Sequence, residues 1–196
     1  MKSAFSTRFL LASFAFLLSI TAPAQAQERV LRKEVAVDAS LKEVWNAFTS
    51  NEGAETFFAP KTNIFARLGG AYEVYFYPMG AGPDGVRGCE AGCRIQSIVP
   101  MKSLAFTWSA EPDTKTLRAT GLTTIVYLRF KELAPRKTLV EFTNVGWGEG
   151  DEWDHSYNAF DRDWGVVLGR LKIRFEKGPI DWSNPPKPTE TYSVTK

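Results

Sequence analysis

Histidine, cysteine and clustered carboxylates are the side chains that could move protons, hold metals or attack a substrate in a chain of this size. Here they are few. His155 is the sole histidine, so any Ser-His or Cys-His mechanism must run through it. Cys89 and Cys93 are the only cysteines. With so few nitrogen and sulfur ligands a zinc site cannot be completed, and neither a metal nor a cofactor is expected. Glu149, Asp151, Glu152 and Asp154 form an acidic cluster that could serve as a weak cation site or a general base. Its spacing does not match a calcium-binding loop, and acidic groups at a helix start also compensate the helix dipole. Arg118 could reach over a cavity mouth and bind a carboxylate, although a solvated surface arginine is the plainer reading. The run Met79-Gly80-Ala81-Gly82-Pro83-Asp84-Gly85 lacks the Lys-Ser/Thr end of a phosphate loop and precedes no helix. It reads as a hairpin tip or a flexible lid. No residue is assigned a catalytic role.

The aromatic spacing is more informative. Trp153, Tyr157, Phe160, Trp164, Leu168, Leu171 and Phe175 recur at steps of three and four. At about 100° per residue they fall within roughly an 80° arc of one helix face. A face so long and aromatic must lie on something large and apolar, either a core or a cavity. His155 falls about 180° from the centre of that arc, which directs it to solvent or to a loop.

The elements that position these residues follow from periodicity. Glu28 to Val37 reads as a strand. Ser40 and Glu43 make a capping-box signature, and Leu41, Val44, Trp45 and Phe48 follow at helical spacing, predicting a helix over 40–49. A second short helix is expected near Ala54 to Phe58. Alternating patterns predict strands over Tyr72 to Tyr77, Cys93 to Val99, Leu104 to Trp108, Thr123 to Lys131 and Thr138 to Val145, joined as an antiparallel meander. Pro78 to Gly88 reads as a loop, Glu111 to Gly121 as a longer polar connection. The closing helix starts near Asp151 or Glu152, with Asp151 as the expected N-cap. Lys172, Arg174 and Lys177 near its end favour the dipole, and Gly178-Pro179 stops it. Such an order predicts a two-layer α+β domain in which the sheet wraps around the long helix.

Lys2 and Arg8 precede an apolar run from Phe9 to Ile20, and Ala24-Gln25-Ala26 follows. This pattern predicts a secretory signal peptide over 1–26, a domain over 27–182 and a Pro-rich tail over 183–196. The apolar run is shorter than the roughly 20 residues that span a bilayer, and no stable membrane span is expected. The chain has 24 Lys and Arg against 22 Asp and Glu. Lys2 and Arg8 would leave with the leader, so the remainder balances. A neutral chain without a basic stripe is not expected to bind nucleic acid. In an oxidising compartment Cys89 and Cys93 invite a disulfide. Four residues on an extended strand span about 13 Å, too far to bridge, so the bridge requires the glycine-flanked segment 88–92 to turn back.

Three segments carry a resemblance: VAVDASLKEVWNAFT (Val35 to Thr49), GCRIQSIVPMKSLAFTW (Gly92 to Trp108) and GWGEGDEWDHSYNAFDRDWGVVLGRL (Gly146 to Leu171). In sequence and order they resemble the SRPBCC, or START-like, superfamily, and within it the activator of Hsp90 ATPase homologue 1-like branch. The resemblance covers about 30–182. It implies a helix-grip fold (START/Bet v 1-like): a curved antiparallel β-sheet wrapped around a long C-terminal helix, with two short helices near the N-terminus and a hydrophobic cavity. It implies no single activity, because members resemble lipid carriers, polyketide cyclases and aromatases, hydrolases and co-chaperone domains. With the cavity implied, Phe76, Phe106, Trp108, Trp147, Trp153, Tyr157, Phe160 and Trp164 become candidate ligand-binding residues. The alternative is that they form a closed core. An Hsp90 partnership is not expected, because those co-chaperones carry a chaperone-binding domain where this chain has a leader. The expectation is an exported, periplasmic binding protein for a small apolar or amphipathic ligand, monomeric or weakly dimeric. The alternatives are a cyclase- or hydrolase-type enzyme using the same cavity, or a chaperone-like interaction module.

Overall fold

The computed structural model describes residues 28–76 and 92–186. The chain opens with β1 (Leu31–Val37), in which Leu31, Val35 and Val37 are buried. Ser40 then caps α1 (Leu41–Thr49). Its hydroxyl accepts from the Glu43 amide at 3.3 Å, and the Glu43 carboxylate accepts from the Ser40 amide at 2.8 Å. That reciprocal pair is the predicted capping box. Val44, Trp45, Ala47 and Phe48 face the core from this helix.

Two elements differ in place from the sequence reading. The second helix, α2, is Asn51–Ala54 rather than 54–58. Ser50 caps it by accepting from the Gly53 amide at 3.0 Å. Gly53 must be glycine, because a β-carbon there would collide with the Asn46 carbonyl. A short edge pair follows, β2 (Lys61–Ile64) with β3 (Tyr72–Tyr75). Strand β2 has no counterpart in the sequence reading. Tyr77, the Pro78 to Gly88 loop and Cys89 lie outside the described residues.

The main sheet is antiparallel throughout, in the order β1-β7-β6-β5-β4. It comprises β4 (Ile95–Val99), β5 (Ser103–Ser109), β6 (Thr123–Ala134) and β7 (Lys137–Val145), besides β1. A bridge between Ala71 and Arg94 joins the small β2–β3 pair to its β4 edge. Alternation sends Phe106 and Trp108, Val126 and Leu128, and Phe142 and Asn144 to one buried face. Between β5 and β6 lies α3 (Lys115–Ala119), in the stretch read as a connection.

Helix α4 (Asp151–Lys177) lies across that buried face for 27 residues, about 40 Å of helix. Gly150, at φ 110°, precedes it without a side-chain cap. Asp151 is therefore the first helical residue and not the N-cap. Its buried face comprises the aromatic stripe from Phe160 onward plus Ser156, Ala159 and Val167 on the flank. Small residues there let the helix approach the sheet closely, which periodicity of large side chains alone does not reveal. Gly178, at φ 104°, ends the helix. The following segment stays docked: Ile180 is buried, and Trp182 Nε1 donates to the Glu55 carbonyl at 2.6 Å. The result is the helix-grip architecture, an antiparallel sheet closed by a long C-terminal helix.

Candidate functional site

The eight aromatic candidates separate into an inner and an outer group. Phe106, Trp108 and Trp164 are inner. Trp164 is 2% exposed. Its ring lies 4.5 Å from Phe142, 4.9 Å from Trp108 and 5.5 Å from Phe58. Trp108 also stacks on Phe58, and Phe106 stacks on Tyr72 at 3.9 Å. The inner rings therefore pack on one another between sheet and helix. Burial pushes the Tyr72 phenol upward, and its hydroxyl donates to the Phe48 carbonyl at 3.1 Å.

The outer group gathers where α4 begins. Trp147, just beyond β7, meets Trp153, Tyr157 and Phe160 with centroids 6.2, 5.1 and 5.8 Å away. Gly148 lies so close to the Trp153 indole that any β-carbon there would strike it. Arg29 stacks over Tyr157 and pairs with Asp154. Phe160 is buried, whereas Trp147, Trp153 and Tyr157 are half-buried. Phe76 is the exception to both groups. It is half-buried and sits edge-on to Phe58.

A polar cluster adjoins these rings, built by the β5–α3 connection against the first turns of α4. The Glu111 amide donates to the hydroxyl of the fully buried Ser156 at 3.3 Å. Glu152 accepts from the amides of Leu117 at 2.6 Å and Thr116 at 3.3 Å, so one member of the acidic cluster caps α3 from across the fold. His155 is exposed and meets Asp113 at 3.0 Å. It thus contacts a loop, on the side of α4 away from the aromatic stripe. Burial of its carboxyl, then Asp163 and Asp113, pushes Glu111 up to about 7 from an ordinary 4.5, against a smaller pull from Arg162 and Arg118. The sequence reading placed Glu111 in a polar connection and assigned it nothing. Its one local signal is its position directly between the strand-terminal Ala110 and Pro112.

Arg118 donates to the Ala110 carbonyl at 2.6 Å. It lines a pocket of about 290 Å³ with Cys93, Ser109, Ala110, Leu122 and Thr123. Cys93 is buried with its sulfur 3.5 Å from the Ser109 hydroxyl. The Cys89–Cys93 bridge itself lies outside the described residues. Among the described residues no three His, Cys, Asp or Glu side chains converge as a metal would require. No helix among them is long and apolar enough to cross a membrane. Their exposed large apolar side chains are Phe65 and Leu68 at one turn and Val99, Leu122, Tyr127 and Leu133 on other elements.

Comparison with known proteins agrees with this geometry. Residues 38–176 match the family model of the activator of Hsp90 ATPase homolog 1-like proteins. No curated protein matches the chain. Among solved structures, a Mesorhizobium loti protein aligns over 78% of this chain and 100% of its own, with 16% identity and a TM-score of 0.58. The Aha1 dimer of Colwellia psychrerythraea aligns over 76% and 98%, with 17% identity and a TM-score of 0.55. A conserved Enterococcus faecalis protein of unknown function aligns over 81% of both chains, with 23% identity and a TM-score of 0.55. At these identities the likeness concerns the fold.

Proposed function

The chain belongs to the activator of Hsp90 ATPase homolog 1-like family, and from that premise we propose that it binds a small apolar or amphipathic molecule inside the grip. One observation carries the reading. Half-buried Trp147, Trp153 and Tyr157 lead through Phe160 to the buried pair Trp164 and Trp108, a graded aromatic path from the surface to the interior. A ligand entering there trades water for aromatic surface at every step. The inner rings part to admit it, which makes the empty state well packed. The leader pattern of residues 1–26 supports export, with the mature chain working in the periplasm as a monomer or weak dimer.

Native mass spectrometry on protein purified without denaturant from its own host tests this reading. The expected result is a retained small molecule on a chain beginning at Gln27. Protein that always emerges empty, and that takes up no apolar compound offered to it, refutes the binding. An intact leader on the functional protein refutes the export.

A second reading, an enzyme of the cyclase or hydrolase type, is favoured by Glu111. A carboxyl with a pKa of about 7 beside an aromatic interior suits proton transfer at neutral pH. Under this reading Glu111→Gln retains substrate where the wild type retains product. Identical retained molecules in both proteins remove Glu111 from any reaction.

A further inference from the structure

Two buried side-chain atoms at the inner end of the sheet have no hydrogen-bond partner among the described residues: Trp108 Nε1 and Asn144 Oδ1. Trp108 is 4% exposed and Asn144 0%. Native proteins seldom leave such groups unmatched. The two are complementary, because an indole N–H only donates and an amide oxygen only accepts. The setting of the Asn144 amide follows from its nitrogen, which donates to the Ile125 carbonyl at 3.0 Å. Turning the amide over would set oxygen against oxygen.

Both side chains border the same part of the grip. Trp108 lies 4.9 Å from Trp164. Phe142, two residues before Asn144 on the same strand face, lies 4.5 Å from the same ring. On its other side Asn144 is bracketed by Trp147, whose Nε1 donates to the Asn144 carbonyl at 3.1 Å and whose ring meets Phe160. The donor and the acceptor therefore face the helix from neighbouring strands, at the inner end of the aromatic path.

We propose that Trp108 and Asn144 form a polar subsite for a ligand hydroxyl group, which accepts from the indole and donates to the amide oxygen. The assignment rests on the small-molecule site proposed above and adds the ligand's chemical class. A hydroxyl does both tasks with one atom. A carboxylate, ketone or ether only accepts, and leaves Asn144 Oδ1 facing another oxygen. An ammonium only donates, and leaves the indole unmatched. The surrounding rings of Trp164, Phe142 and Phe106 select flat partners, so the favoured class is a phenol or an aromatic alcohol.

Phenol and toluene separate the outcomes, because they share a shape and differ by hydroxyl against methyl. An interior without polar recognition prefers toluene, since burying an unmatched hydroxyl is unfavourable. The subsite reverses that order. Calorimetric titration of the wild-type chain is expected to show phenol binding about tenfold tighter than toluene. In Trp108→Phe and in Asn144→Leu the preference is expected to vanish or invert, with toluene binding kept. Toluene binding as well as phenol, or better, in the wild type overturns the subsite while leaving the small-molecule site standing; the two atoms then serve a buried water. A phenol preference untouched by both variants also overturns it. Binding of neither compound removes the site and the subsite together. Trp108→Phe keeps the aromatic ring, so the wild-type ratio and this one variant decide the matter even if Asn144→Leu does not fold.

Discussion

Replacing Glu111 by Gln should make the protein more stable above neutral pH and leave it nearly unchanged in mild acid. The carboxyl is held between the β5–α3 connection and α4, where burial first and the Asp163 and Asp113 charges second oppose its ionisation. Its pKa rises from 4.5 in the unfolded chain to about 7 in the folded one. The folded state thus holds this proton more tightly. Stability from this group is fully present below pH 4.5 and is lost as pH rises through 7. At 1.36 kcal/mol per pH unit the gap amounts to roughly 3 kcal/mol. The carboxyl keeps some contact with water, which trims the figure to about 2 kcal/mol. Glutamine reproduces the neutral acid in shape and cannot ionise. Urea unfolding of both proteins at pH 5 and pH 8 is the assay. The curves should nearly coincide at pH 5 and separate by about 2 kcal/mol at pH 8, with the variant more stable. Every other titrating group is common to both proteins, so the comparison isolates Glu111. Parallel pH profiles would falsify the burial of this carboxyl.

Other consequences follow from the packing. Trp164→Ala removes a ring in contact with Phe58, Trp108 and Phe142. It should cost about 3–5 kcal/mol in urea unfolding, and a loss under about 1 kcal/mol would mean that the interior is loose. Ser40→Ala deletes one half of the capping box and should cost about 1 kcal/mol, read as a lower thermal midpoint; an unchanged midpoint would show that the cap contributes nothing. Gly148→Ala should push the Trp153 indole out of its seat and red-shift the tryptophan emission. An unaltered spectrum would contradict the close approach.

Much of the fold was legible because its longest elements have strong periodicity. The α4 stripe, the alternation in β5, β6 and β7 and the capping box at Ser40 each state their structure within a dozen residues. What escaped is held together from a distance. Strand β2 shows only Thr62 and Ile64 as buried residues and takes its order from β3. The five residues of α3 owe their start to Glu152, 35 residues further on. Glu111 looks like any acid in a polar loop until Ser156 and α4 close over it. The aromatic residues of the candidate site were visible by spacing alone. Their partition was not, because burial of Trp164 against exposure of Trp153 depends on how α4 crosses the sheet. The polar pair Trp108 and Asn144 was half visible. Trp108 entered the candidate set as an aromatic ring, whereas the role of Asn144 depends on a strand register that a single sequence does not display.

The central claim is that the interior of the grip receives a ligand. The indole N–H resonances of the six tryptophans offer a direct measurement, followed by two-dimensional NMR as phenol is added. The account predicts a saturable shift at Trp108 and Trp164, while Trp182, whose N–H is bonded to the Glu55 carbonyl at the far end of α4, stays in place. Shifts confined to the surface tryptophans, or growing without saturation at all six alike, would contradict it.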